Sequence, residues 1–327
     1  MNHRRKFIQH SAYAALAASM SPILSSCSQA KSATSDLNSK SAISGKEDMF
    51  FKISLAQWSF NKALFAGDLM HLDFAAKTRS LDMDGMEYVN RFFMDKAEDQ
   101  PYLKQMNVRA RDAGVKQLLI MVDGEGGLGT LDDVERKVAV EKHYKWVDAA
   151  KTLGCHSIRV NAFGEGSEKD VHDAAIQGLG ALSEYAATEG LNVIVENHGS
   201  YSSDGSWLAS VMKQVGMSNC GTLPDFGNFC MKREGGVLYG AKCIEEYDRY
   251  QGVTDMMPYA KAVSAKAFDF NSDGDEIHTD FYKMMKIVKN HGYNGYVGIE
   301  YEGSDLSEEA GIIKTRDLLR KVGAQLS

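Results

Sequence analysis

Beyond its first 27 residues the sequence has no apolar run long enough to cross a bilayer, so no membrane span is expected in the body of the chain. It has no basic cluster there either, and the formal net charge is −7. Without a positive stripe the electrostatic footprint of nucleic-acid binding is absent, and nucleic acid is not an expected partner. No G-x-G-x-x-G opens any helical stretch, which removes the main support for an open doubly wound sheet holding a dinucleotide. Cysteine is scarce: of five, four fall in the body, at Cys155, Cys220, Cys230 and Cys243. Their spacing matches neither a zinc site nor a small disulfide-stapled scaffold. An even number permits pairing in an oxidising compartment, but the reading adopted is that all four are buried free thiols.

The N-terminus reads as an address. Arg4 and Arg5 make a twin-arginine start, followed over 12–24 by a weakly apolar stretch too short and too rich in Ala and Ser to span a membrane. The stretch ends in LSSC at Cys27, and small residues before a single Cys resemble the lipobox at which bacterial lipoproteins are cut and acylated. These features predict a signal peptide over 1–27, lipidation at Cys27, and an exported protein, periplasmic or held at the outer membrane by its lipid anchor. The alternative is a Sec or Tat signal in which the Cys is incidental. Residues 28–49 are polar and rich in Ser and Lys, without an apolar period, and predict a flexible linker. Residues 50–327 then form a single domain, roughly 280 residues being enough for one large barrel.

A repeated unit runs through that body: an amphipathic helical stretch, a Gly, then a short β-branched run. It occurs at Gly114 before VKQLLIMV, Gly154 before CHSIRVNAF, Gly190 before LNVIVENH and Gly292 before YNGYVGIEYEG. Each Gly stands where a helix ends in a left-handed cap. Eight short runs can be counted, at 53–60, 85–90, 115–122, 157–163, 192–198, 221–226, 263–270 and 296–302. Helical stretches at 66–80, 99–113, 131–153, 168–189, 206–215, 241–261, 279–291 and 306–325 alternate with them. Mostly apolar strands, each followed by a helix, predict an α/β fold, a single-domain (β/α)8 TIM barrel with a parallel sheet covered on both faces.

In such a barrel, chemistry gathers where strands end and the following loops begin. The run ends supply Gln57 and Trp58 from the first run, Glu87 from the second, and Arg159 and Asn161 from the fourth. Glu196 and His198 come from the fifth, Asp225 and Asn228 from the sixth, Lys266 and Asp269 from the seventh, and Glu300 and Glu302 from the eighth. Glu196, Asp225 and Glu300 stand at matching depths, and carboxylates brought that close repel one another unless a cation or a shared proton compensates. A divalent metal is the expected cofactor; oxygen ligands with one imidazole suit Mn²⁺, Mg²⁺, Co²⁺ or Zn²⁺ alike. Arg159 serves either to grip substrate oxygens or to stabilise Glu196 or Glu87 as a buried partner. Trp58 and Phe226 serve either as core or as an aromatic platform for a substrate. The stretch Asp269, Asn271, Asp273, Gly274, Asp275 and Asp280 nearly fits a calcium loop but has Asp at the last place and a strand in front, so an acidic loop over the mouth is the default reading.

The ends VIVENHG, LPDFGN and GYVGIEYEG resemble the fifth-, sixth- and eighth-strand motifs of the xylose-isomerase-like barrel superfamily of sugar isomerases, sugar 3-epimerases and inosose dehydratases. The resemblance implies that Glu196 and Glu300 are metal ligands and also the acid/base pair, and that Asp225 is a third ligand. Where the epimerases complete the metal shell with a His on the seventh strand, this chain has Lys266, whose ammonium has donors only and cannot ligate while charged. Two outcomes follow. His198, two residues after Glu196 and so on the same face of a strand, supplies the missing imidazole; or Lys266 replaces the metal by holding the carboxylates through charge. A bound metal is the reading favoured. Asn228 stands where those epimerases have a substrate-contacting His, so Gln57, Trp58, Glu87, Arg159, Asn161, Asn228, Asp269 and Glu302 make up the expected substrate contacts.

The resemblance implies a sugar isomerase or epimerase that moves a proton on the carbon beside a carbonyl, its partner being a small-molecule sugar. Such a carbon becomes acidic only if the enediolate is stabilised, by a metal or by Lys266, while one glutamate removes a proton and the other returns one. The alternatives are a lyase or hydratase acting on keto-glycosides, in which loss of the α-proton expels a neighbouring substituent, and a lipoprotein that binds carbohydrate without turning it over.

Overall fold

The computed structural model of the protein describes residues 49–327. The expected signal over 1–27, the acylation of Cys27 and the linker up to residue 48 lie outside the described residues. Met49 packs against the core.

All eight expected strands are present. β1 (Lys52–Ala56), β2 (Gly85–Val89), β3 (Lys116–Met121), β4 (Ser157–Val160), β5 (Asn192–Glu196) and β6 (Cys220–Leu223) run parallel in sequence order. A hairpin of β7 (Cys230–Arg233) and β8 (Cys243–Glu246) follows, outside the main sheet. β9 (Val263–Ala267) and β10 (Tyr296–Tyr301) then complete the sheet, with β10 parallel to β1. The ring closes between β6 and β9 through single backbone bonds: Ser264 N to Pro224 O at 2.9 Å, Phe226 N to Ser264 O at 3.1 Å and Lys261 N to Thr222 O at 3.0 Å.

Local chemistry explains the boundaries. Gly114, Gly154, Gly190 and Gly292 all have positive φ, at 63°, 70°, 71° and 72°, the conformation in which a Cβ would be strained. The helices after the strands begin on oxygen-bearing caps: Asp132 accepts from the amides of Val134 and Glu135, and Asp248 from those of Tyr250 and Gln251. Most of the strands end earlier than the periodicity predicts. β1 stops at Ala56 because Gln57–Phe60 turns into a 3-10 helix, and β5 stops at Glu196.

Side-chain alternation sorts the sheet into two faces. One face packs on the helices around Trp146, Phe74 and Leu103. The other fills the barrel with a small apolar cluster including Leu119, Met121, Ile194 and Leu223, and with the buried polar side chains of Ser54, Glu87, Ser157, Arg159, Glu196, Ser264, Lys266 and Glu300.

Three expectations are corrected. The stretch 241–261 is not one helix: β8 occupies Cys243–Glu246, and the helix proper is Arg249–Met256, entered through the Asp248 cap. The stretch 66–80 is helical only over Phe74–Ser80, preceded by the 3-10 turn His71–Asp73, while a separate helix, Asn61–Ala66, ends at Gly67 with φ 79°. Only Cys155 and Cys220 are buried free thiols; Cys230 and Cys243 form a disulfide across the hairpin, their Cα atoms 5.8 Å apart. Spacing does not reveal this pair because Cys230 lies outside every expected element and Cys243 falls within the helix expected over 241–261, so nothing in the pattern brings the two together.

The disulfide closes a short loop, with a sequence separation of 13. Cys230→Ser or Cys243→Ser is expected to lower unfolding free energy by up to about 3 kcal/mol and to speed proteolytic cutting within 231–242. Urea titration and limited proteolysis check this, and unchanged cutting would show that the hairpin is held without its sulfur link.

Candidate active site

Three carboxylates from three different strand ends meet inside the mouth of the barrel. Glu196, Asp225 and Glu300 are all buried, and one oxygen of each lies within 4.8 Å of the others. Among the described residues this is the group of ligating side chains suited to a metal ion. Asp225 is fixed most tightly. Its Oδ1 accepts from the amides of Gly227 at 2.8 Å and Asn228 at 3.0 Å, and its Oδ2 from the Ser264 hydroxyl at 2.6 Å. Glu196 Oε1 accepts from the Asn228 side-chain amide at 2.8 Å. Its Oε2 stands 2.9 Å from Arg159 Nε, an approach of charges too far out of line for a hydrogen bond, so that both atoms are buried without a hydrogen-bond partner.

Two cations balance this acidity in part. Lys266 Nζ lies 3.2 Å from Glu300 Oε1 and 2.8 Å from Glu302 Oε1. Burial works against its charge, but Glu300, Glu302, Asp225 and Glu196 together raise its pKa well above the usual lysine range. It is therefore a fixed ammonium. Arg159 reaches Asp123 Oδ1 at 2.8 Å on its other side; burial disfavours the charge of Asp123, yet Arg159 and His198 outweigh it and hold that carboxyl at about 2. The two cations do not offset the burial of the remaining acids. Burial, opposed by Lys266 and reinforced by Glu196, raises Asp225 to about 7 and Glu300 well above the carboxylate range. Glu302, half in solvent at the rim, is lowered, Lys266 overcoming its partial burial.

The donor set fits a divalent cation. Its ligands are all oxygens, one of them is buried without a donor, and the two cations do not offset the burial that disfavours the charged forms of Asp225 and Glu300, as a divalent cation would. Lys266 cannot be a ligand, since it is charged and bonded to Glu300 and Glu302. His198 is not part of the group either. Its Nδ1 is held by Asn161 Oδ1 at 2.9 Å and approached by the Tyr239 hydroxyl at 3.2 Å, with Phe163 stacked 6.1 Å from its ring. The alternation that would put it beside Glu196 ends with β5 at Glu196, and the turn after it swings the ring to the side wall.

Above the cluster lies a cavity of about 720 Å³ whose wall includes Trp58, Arg159, Asn161, His198, Asn228, Lys266, Glu300 and Glu302. Three expected contacts do not line it. Gln57 is buried, bonding His71 Nδ1 at 2.9 Å and the Val89 amide at 3.0 Å. Glu87 lies lower in the barrel against Ser54 Oγ at 2.6 Å, in space left by Gly298, where a Cβ would fall 2.4 Å from its carboxylate. Asp269 pairs with His278 at 3.2 Å outside the cavity. The calcium-like loop is likewise occupied internally: Asn271 accepts from the amides of Asp273 and Asp275, and Asp280 caps the helix Phe281–Asn290. Phe226 is fully buried against Phe281 and belongs to the core, whereas Trp58 is half-buried beside Phe65 and Phe92 and faces the cavity. Asp123 was missed by sequence reasoning, although it stands one residue past the third run, where the rule that found Arg159 would have found it. Tyr239 had no such signal, since it hangs from the hairpin.

A sequence profile for the family described as xylose isomerase-like TIM barrel matches residues 75–322. No curated protein matches the chain. Among solved structures, a D-psicose 3-epimerase crystallised with D-fructose superposes with a TM-score of 0.63 at 12% identity, covering 84% of this chain and all (100%) of its own. A 3-keto-D-glucoside 4-epimerase from E. coli gives 0.63 at 15% identity over 83% of this chain and 99% of its own. A xylose isomerase-like barrel protein from Mycobacterium smegmatis in complex with magnesium gives 0.60 at 14% over 84% and 97%. At these identities the likeness establishes the fold.

Glu87 offers a measurable consequence of burial. Its carboxyl, at 4.5 when unperturbed, is raised to about 7, chiefly by burial, against a lowering by the Ser54 hydrogen bond. Between those values the unfolded chain releases a proton that the folded chain keeps, so the folded state loses stability as pH rises and regains it as pH falls. Glu87→Gln is expected to remove that loss, making the variant more stable than the parent by up to about 3 kcal/mol at about pH 8 but not at about pH 5. Urea titrations at both values test this; a difference that does not vary with pH would place the proton elsewhere.

Proposed function

The chain belongs to the xylose isomerase-like TIM barrel family, and from that premise we propose that it is a sugar isomerase or epimerase that transfers a proton at the carbon beside a sugar carbonyl. The observation that carries the reading is the meeting of Glu196, Asp225 and Glu300 within 4.8 Å, with Glu300 in the wall of an open cavity. Psicose, ribulose and keto-glucoside epimerases among the structural neighbours are consistent with it.

The residues divide the work as follows. Glu196 Oε2 accepts no hydrogen bond and is the oxygen suited to take the α-proton. Glu300, whose burial favours its protonated form, is suited to return one. Lys266 keeps a fixed positive charge 3.2 Å from Glu300, where negative charge develops on an enediolate oxygen. Asn228 and Arg159 hold Glu196 from opposite sides, and Ser264 and the Gly227 and Asn228 amides hold Asp225. Trp58 offers a face to the sugar ring.

A divalent cation, when bound, would be held by Glu196, Asp225 and Glu300 and would supply electrostatic stabilisation of the enediolate. A donor set of oxygens without imidazole favours Mg²⁺ or Mn²⁺ over Zn²⁺. The Cys230–Cys243 disulfide supports the export implied by the twin-arginine segment, because such links persist in oxidising compartments.

In D₂O the protein is expected to exchange the α-proton of a ketose, and Glu196→Gln and Glu300→Gln each to slow exchange by about 10²- to 10⁴-fold. Full activity in both variants, read by NMR, would sink the acid/base assignment. Independently of activity, MgCl₂ or MnCl₂ at a hundredfold excess over its Kd is expected to stabilise the fold by about 2.7 kcal/mol, and Asp225→Asn to abolish that gain. A melting temperature indifferent to both salts would remove the metal from the proposal.

A further inference from the structure

We propose that the substrate is a neutral glycoside or disaccharide, its reacting sugar in the carboxylate pocket and its second unit in an outer cavity beside it; this rests on the sugar reading above and names its substrate class. The outer cavity, about 1080 Å³, shares Phe163, Cys230 and Arg233 with the inner one of about 720 Å³. The shared wall is the disulfide-closed hairpin. Arg233 braces it from within, donating to the carbonyls of Leu238 at 3.2 Å and Ala241 at 2.8 Å, while Tyr239 ties it to the His198 carbonyl at 2.9 Å. The two spaces thus adjoin across a fixed partition, and a single hexose would fill only the inner one.

The lining indicates the chemistry of the second unit. Tyr201, half-buried and stacked on Trp207 with centroids 6.0 Å apart, lines the outer cavity; its aromatic ring suits the C–H face of a pyranose. Trp207 is 4% exposed, yet its indole N–H has no acceptor among the described residues. Glu135, Glu165, Glu168 and Glu245 line the same space and offer acceptors to sugar hydroxyls. Asp132 and Asp204, also in the lining, are engaged as helix caps. Against these carboxylates stand Lys232 and Arg233, the latter turned into the hairpin. The field is net negative, so phosphorylated or acidic sugars are repelled and neutral ones admitted.

The purified protein would be titrated calorimetrically with D-fructose, D-fructose 6-phosphate, and lactulose, turanose and palatinose, three ketoses glycosylated at different positions. α-Proton exchange would be followed on the same compounds. At least one disaccharide is expected to bind tenfold or more tightly than D-fructose, and the phosphate at least tenfold more weakly. Val237→Trp, at an exposed position lining the outer cavity and not the inner one, is expected to weaken disaccharide binding at least tenfold and leave D-fructose unchanged. No preference for any disaccharide, tighter binding of the phosphate, or equal loss for both ligands in Val237→Trp would overturn the outer subsite. A preserved preference without exchange on any compound would instead overturn the proton-transfer reading and leave the subsite standing.

Discussion

Lys266 is the residue on which the interior of this barrel depends. A parallel barrel needs its inward side chains to fill the centre, and apolar ones do so at least cost. Here the upper layer is filled by carboxylates, a state that holds only because an ammonium lies 3.2 Å from one of them and 2.8 Å from another. Removing one member of such a buried set leaves its partner without compensation, which costs far more than the pair itself contributes. Arg159 plays the same part on the opposite wall, between Asp123 and Glu196. The two cations divide the acids into two groups, Glu300 and Glu302 beside Lys266, Asp123 and Glu196 beside Arg159; of the triad, Asp225 is the member that forms an ion pair with neither.

The fold delivers these charges through strand alternation. Glu196 follows Ile194 on the inward face of β5, Lys266 follows Ser264 on β9, and Glu300 follows Gly298 on β10. Below them Glu87 occupies the space that Gly298 leaves. Acidity therefore runs down the barrel as well as across its mouth, and Ser54 is the donor that Glu87 receives.

Much of this was legible in the sequence, because period-two alternation and glycine helix ends are local. The eight strands, their order and the inward set of Arg159, Glu196, Lys266 and Glu300 follow from those signals alone. The errors arise where locality ends. His198 was assigned by extending alternation past the last residue of β5, and Gln57 by extending it past β1, although the chain had left the sheet in both cases. The disulfide and Tyr239 were illegible for another reason: the segment between β6 and β9 folds on itself as a hairpin, whose first strand and tip match no expected element and whose second strand falls within the helix expected over 241–261. Glu87 was read correctly as inward and incorrectly as superficial, since sequence gives the face of a strand residue and not its depth.

The closure of the ring has a consequence for how the molecule breathes. Seven of the eight joints between neighbouring strands are ladders, that of β2 and β3 shifted in register at Met86 and Glu87; the eighth, between β6 and β9, consists of isolated bridges. Asp225 and Ser264 form one of those bridges, so a member of the carboxylate triad is itself part of the thinnest joint. A transient parting of the staves there would separate Asp225 from Ser264 and Lys266 while the other seven ladders stayed intact. The joint of the barrel with the sparsest pairing is thus also the one that carries a member of the pocket.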